Sequence, residues 1–149
     1  MKVLLAAPCN LVLEDKISGH SLIGVFHEIR IQIPADAPDI PVNAMIPREW
    51  ALFAKFGLEA EEEGLPYSLT VDFRWPDGTP FASHTVQGEQ PTKNGMAFIT
   101  RLQAFPMGQN GIIKSTATLN SGDNIVCGPI ETEIKVIVER TLPIVDENA

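Results

Sequence analysis

The stretch PCNLVLEDKISGHSLIGVF, residues 8–26, sets the thiol of Cys9, the carboxylates of Glu14 and Asp15 and the imidazole of His20 close together, with His27 just beyond. A thiol beside an imidazole is a nucleophile with its base, provided the two side chains reach hydrogen-bond distance. Pairing the stretch as a hairpin around DKISG tests this. Glu14 then faces His20 and Cys9 faces Val25, so Cys9 and His20 lie roughly 17 Å apart along the ladder and on opposite faces. They cannot meet. His27, facing Ala7 in the same register, lies diagonal to Cys9 at roughly 7 to 8 Å between backbones, and Cys9–His27 is the thiol–imidazole candidate that survives. The plainer expectation is that Cys9 is a small buried hydrophobe. Alternation sends Cys9, Leu11 and Leu13 inward with Ile23 and Val25, and turns Val12, Glu14, His20, Leu22 and Phe26 to the other face.

Elsewhere the chemistry-bearing residues are scattered. His84, in FASHTVQ, reads as a solvent-facing strand residue. With three histidines, two cysteines and no C-x-x-C or H-E-x-x-H spacing, no metal site is expected. The chain has no G-x-S-x-G elbow and no phosphate-cradling glycine motif, and Asp72 and Asp77 are a carboxylate pair of a kind that any acidic chain contains. No cofactor and no enzymatic activity are expected. The acidic run Glu59, Glu61, Glu62, Glu63 lacks the ligand spacing of a calcium loop and reads as a solvated turn.

The formal charge of -8, with no compensating basic run, argues against nucleic acid and anionic membranes as partners. The apolar run Val3–Ala7 is too short for a secretory core, and no stretch approaches a membrane span. A cytoplasmic protein with Cys9 and Cys127 as free thiols is expected.

The elements that must position these groups are strands. In LPYSLTVDFRW, Tyr67, Leu69, Val71, Phe73 and Trp75 alternate with polar residues; Pro76 and Asp77-Gly78 then turn the chain into PFASHTVQ. GIIKSTATLN and ETEIKVIVER alternate likewise, and the small Ser115 and Ala117 call for a bulky neighbour such as Phe73 or Trp75. Asn94-Gly95, Asn110-Gly111 and Ser121-Gly122 mark turns. The segment IPREWALFAKFGLEAEEEG has helical propensity, so a helix over 48–60 is an alternative. Yet Trp50, Leu52, Ala54, Phe56 and Leu58 fall on one face only if the segment is a strand. Four prolines between 34 and 47 make that segment a crossover between sheets. The sum is a single domain, 1–149, of all-β class: an antiparallel, immunoglobulin-like β-sandwich of eight or nine strands, with a closed barrel as the alternative.

Trp50, Tyr67 and Trp75 sit on apolar faces and read as core. Phe105, Pro106 and Met107 form an apolar loop tip, which makes Phe105 and Met107 the candidate binding residues. Ile112 and Ile137 are apolar positions on outward faces.

Cys9-Asn10, the strand Ser21–Phe26, the Pro76–Gly78 turn and the run from Pro106 onward together resemble a family of small, uncharacterised bacterial proteins of a domain of unknown function. That family opens with a Cys-Asp or Cys-Asn hairpin and a SLIGIF-like second strand. Ile113 and Ser115 depart from its pattern, which has aromatic residues there, as does the acidic loop at 59–64. The resemblance implies a β-sandwich and a strand over Trp50–Leu58, and implies no activity. The expected function is a non-catalytic binding module whose partner is an unknown protein or a second copy of itself. The alternatives are a small-ligand or carbohydrate binder at the Phe105–Met107 loop and a thiol enzyme built on Cys9 and His27.

Overall fold

The computed structural model describes residues 1–15, 19–62, 64–88 and 95–142; the tip of the first turn, Glu63 and Asn94 lie outside them. Their nine strands form two packed sheets. The first sheet runs β2 (Gly19–Val25), β1 (Lys2–Asp15), β4 (Met45–Gly57), β7 (Met96–Pro106). The second runs β3 (Glu28–Ile33), β9 (Asn124–Arg140), β8 (Gly111–Ser121), β5 (Ser68–Arg74), β6 (Pro80–Gln87). The sandwich expected from alternation is therefore present, with two separate sheets rather than a closed barrel.

One pairing departs from the antiparallel pattern. β3 lies parallel to β9, Glu28 opposite Lys135 and Ile33 opposite Arg140. The reason is the path of the chain. It leaves the first sheet at Phe26, lays β3 against the last strand, and returns through the proline-rich segment to begin β4. The Arg140 guanidinium pins that crossover by donating to the carbonyls of Ala35, Ala37 and Pro38. Fixing an arginine fork on three carbonyls costs side-chain entropy, but it satisfies backbone acceptors that prolines leave without a ladder.

The segment with helical propensity is strand β4. Trp50, Leu52, Ala54 and Phe56 are buried between the sheets, while Ala51 and Phe53 are buried on the opposite side. Burial on both faces explains the near-continuous apolar run that resembled a helix. Trp50 is the centre of the core. Its ring meets Phe73 at 5.6 Å and Phe105 at 5.5 Å, both nearly edge-on, and its Nε1 donates to the Ala104 carbonyl at 2.9 Å. Phe73 lies beside Ser115 in the β5–β8 register, which is the bulky neighbour that the small side chain accommodates. Within the same core Thr100 is 1 % exposed, and among the described residues its Oγ1 has no hydrogen-bond partner.

Candidate functional site

The β1–β2 hairpin adopts the expected register, with Cys9 opposite Val25, Leu11 opposite Ile23 and Glu14 opposite His20. Its faces differ from simple alternation. Cys9 and Val12 are both buried in one cluster with Ala51 and Phe53 on the outer side of the first sheet, and Leu22 packs against them. Residues three apart cannot share a face in an unbroken strand, so the faces exchange between them. The exchange falls at Asn10 and Gly24. Gly24 has φ +66°, and a β-carbon there would overlap the side-chain amide of Asn10. Only glycine combines that backbone with so close an approach. Arg48 holds the same point, donating to Asn10 Oδ1 at 2.8 Å while its guanidinium lies 5.6 Å from the Phe26 ring and 5.8 Å from that of Phe105.

Beyond this step the hairpin folds over the outer face of its own sheet. His20 stacks at 5.2 Å on Phe53, and Val12 is 4 % exposed. The opposite side of the hairpin is turned to solvent, and it is apolar: Leu11, Leu13 and Ile23 are 44, 47 and 47 % exposed, with Val25 at the margin. The expectation that Leu11, Leu13, Ile23 and Val25 point inward with Cys9 is thus corrected: the face exchange lies between Cys9 and the leucines, and Val25, opposite Cys9 on the edge strand, is 58 % exposed. The glycine in SLIGVF is the signal that could have located it.

Cys9 is fully buried. Burial pushes its thiol above the ordinary value, against smaller downward pulls from the Leu11 backbone and the Arg101 charge, so the nucleophilic thiolate is disfavoured. The ladder with β1 ends where the Phe26 N–H donates to the Pro8 carbonyl, and His27 continues towards the second sheet, where its carbonyl accepts from the Lys135 N–H at 2.8 Å. His27 is exposed, whereas Cys9 is enclosed in the outer cluster of the first sheet. His84 is exposed on β6 with its ring near Phe73. Both cysteines are free thiols, and among the described residues no group of three potential metal ligands converges.

Phe105 and Pro106 belong to the end of β7 rather than to an exposed loop tip, and Phe105 is fully buried beneath Trp50 and Phe26, so its ring presents nothing to solvent. Met107 is half-buried and lines a cleft of about 190 Å³ with Ile33, Ile40, Asn110, Val138 and Arg140. The loops around it are tied to one another. The N–H groups of Met107 and Gly108 donate to the Ala44 carbonyl, and Gln109 reaches both Asp77 and the Val42 carbonyl at 3.1 Å.

The outer face of the second sheet differs in character. Thr70 and Thr85 share a hydrogen bond at 3.2 Å, Ser83 donates to Asp72 at 2.6 Å, and Arg30 pairs with Glu139 at 3.1 Å. Ile112 and Ile137 on this sheet are half-buried.

No protein-family model matches the chain, and no curated protein matches it significantly. Among the described residues no helix is long and apolar enough to cross a membrane.

Proposed function

We propose that the protein is a non-catalytic interaction module, cytoplasmic and immunoglobulin-like in architecture, that docks another protein surface on the outward side of the β1–β2 hairpin. The observation that carries this reading is the exposure of Leu11, Leu13 and Ile23 on one side of a two-stranded ribbon whose other side is already packed. Taking about 150 Å² for each aliphatic side chain, these three expose roughly 200 Å² between them, and Val25, adjoining them across the step, adds about 90 Å². That reaches the size at which apolar patches on monomers are often functional. The resemblance to the bacterial family fits the proposal, because the Cys-Asn opening and the SLIGVF strand build this hairpin.

Stability measurement tests it. Replacing Leu11 and Ile23 together by Lys removes apolar surface that the fold does not bury. Urea unfolding of the double variant is expected within about 0.5 kcal/mol of the parent, as for surface positions away from special features. A loss above about 2 kcal/mol would show that these side chains serve the fold, and the proposal would fall.

A second reading, a small-ligand or carbohydrate binder, has the Met107 cleft in its favour. At about 190 Å³ that cleft is smaller than ligand sites of roughly 300 to 1,000 Å³. A thermal-shift screen in which sugars and small carboxylates all leave the melting temperature unchanged would remove it. A thiol enzyme built on Cys9 and His27 is the least supported, since Cys9 is enclosed and its thiolate disfavoured.

A further inference from the structure

We propose that the outer face of the first sheet docks an acidic amphipathic helix of another protein. This surface lies on the body of the sheet and is separate from the outward side of the hairpin. Three cross-strand rows on β1, β4 and β7 build it: Leu5, Lys55 and Ala97; Ala7, Phe53 and Ile99; Cys9, Ala51 and Arg101. Leu5 and Arg101 are exposed, Lys55, Ala97 and Ile99 are half-buried, and the other four are buried. The register between β1 and β4 shifts between Val3 and Leu5, and this brings the exposed Leu4 over Gly57, where a β-carbon would touch it. The rows therefore form an apolar floor with a cation towards each end.

Charge selects the partner. The chain has 19 carboxylate residues, and none stands in these rows. Those on the strands of the first sheet, Glu14, Asp15 and Glu49, lie in the far half of the hairpin and near the start of β4. On the second sheet the cations are matched: Arg30 with Glu139, Lys135 with Glu28, Arg140 with Asp39. Lys55 and Arg101 have no ion-pair partner among the described residues. The formal charge of -8 does not cancel this local field. At physiological ionic strength charges more than about 8 Å apart are largely screened, and packed sheets stand about 10 Å apart. A carboxylate arriving on the first sheet thus meets Lys55 and Arg101 ahead of the glutamates on the far sheet.

Geometry favours a helix. An extended segment laid flat on a sheet leaves its backbone groups unpaired, whereas a helix satisfies its own and packs an apolar stripe on a sheet face. Arg101 is on the strand next to Lys55 and four residues beyond its partner Ala97, which sets the two backbones roughly 14 Å apart. Carboxylates two or three turns apart on a helix, about 11 to 16 Å, match that separation within the reach of the long side chains.

Fluorescence anisotropy tests this with a labelled peptide of about five turns, a leucine stripe flanked by glutamates, titrated with the full chain to about 1 mM in about 150 mM NaCl. Saturable binding is expected, several-fold weaker at about 500 mM NaCl and weaker still for peptides with glutamine or lysine in place of every glutamate. Lys55→Gln and Arg101→Gln should each weaken it about two- to five-fold, and Lys114→Gln, on the second sheet, should leave it unchanged. Arg101 is exposed, so its variant carries the test if urea unfolding shows that Lys55→Gln has lost stability. No binding by about 1 mM, equal binding of the lysine peptide, or an equal loss in Lys114→Gln overturns the proposal. So does cosedimentation with phosphatidylglycerol vesicles that Lys55→Gln and Arg101→Gln abolish, if the glutamate peptide stays unbound. Each of these results leaves the docking side of the hairpin, judged by its own urea unfolding, standing.

Discussion

Replacing Thr100 by Val should make the protein more stable. Thr100 lies on β7 opposite Leu52, is 1 % exposed, and carries a hydroxyl with no partner among the described residues, in a core otherwise filled by Phe98, Leu102 and Trp50. An unsatisfied buried hydroxyl costs about 1 to 3 kcal/mol in lost hydration. Valine has nearly the same shape, so the substitution removes that penalty and leaves no cavity, while the added methyl contributes up to about 0.8 kcal/mol more. Imperfect fit of a methyl where an oxygen stood takes back part of the gain, for which about 1 kcal/mol is a fair allowance. The net expectation is about 1 to 2 kcal/mol of stabilisation. For a chain of 149 residues that corresponds to a rise of roughly 2 to 8 °C in Tm, at about 2 to 4 °C per kcal/mol. Urea unfolding and calorimetry on the parent, Thr100→Val and Thr100→Ser measure it. Serine keeps the hydroxyl and loses a methyl, so it should destabilise by about 1 kcal/mol. If valine is neutral or destabilising, the hydroxyl has a partner in solution and the reasoning fails.

Gly24→Ala should cost about 1 to 3 kcal/mol by urea unfolding, since it combines a left-handed backbone with overlap on the Asn10 amide; a neutral result would mean the faces exchange elsewhere. In a Cys127→Ser background, an alkylating reagent at neutral pH should modify the buried Cys9 slowly, and Gly24→Ala should speed the reaction at least tenfold by loosening the hairpin that encloses it. Asp77 is held below the ordinary carboxyl range, chiefly by the Thr79 hydroxyl and then by the Thr79 N–H. Its folded value is thus below its unfolded one, so its contribution to stability is present above the unfolded value and lost as pH falls through the folded one. Asp77→Asn should flatten that acid-side decline in a series of melting curves from pH 6 to pH 2, and an unchanged slope would refute it.

The parts of the molecule most legible in the sequence are those with one wet face. β5 reads Leu69, Val71, Phe73 in and Thr70, Asp72, Arg74 out, and the structure buries the first set and leaves the second at the surface. The register of the first hairpin was legible too, because a short turn and two alternating strands admit few pairings. β4 is less legible: covered on both faces, it carries apolar residues at consecutive positions, and only the alternation of Trp50, Leu52, Ala54, Phe56 and Leu58 distinguishes its pattern from a helix. The exchange of faces at Asn10 and Gly24 was not legible, because period-two reasoning carries a face through every residue and has no place for one left-handed step. That single step decides whether Leu11 and Leu13 are core or surface. The loop tip misled for a related reason: Phe105 is the last inward residue of β7, and an apolar residue at a strand end looks the same whether it caps a core or faces water.

The parallel pairing of β3 with β9 has a consequence for the order of assembly. Among the described residues, a strand at residues 28–33 finds its one pairing partner at residues 135–140, and the tie between the Thr141 N–H and the Ile33 carbonyl at 2.9 Å joins positions more than a hundred residues apart. As the chain emerges from the ribosome, the first hairpin can close early, whereas β3 waits for its β9 partner until residues 135–140 have been made. Synthesis at about 5 to 20 residues per second leaves that strand waiting for several seconds at least, with Ile29 and Ile31 uncovered. The last strand is therefore the latch of the fold, and a chain that stops before residue 135 releases an unpartnered strand instead of a slightly shorter sandwich.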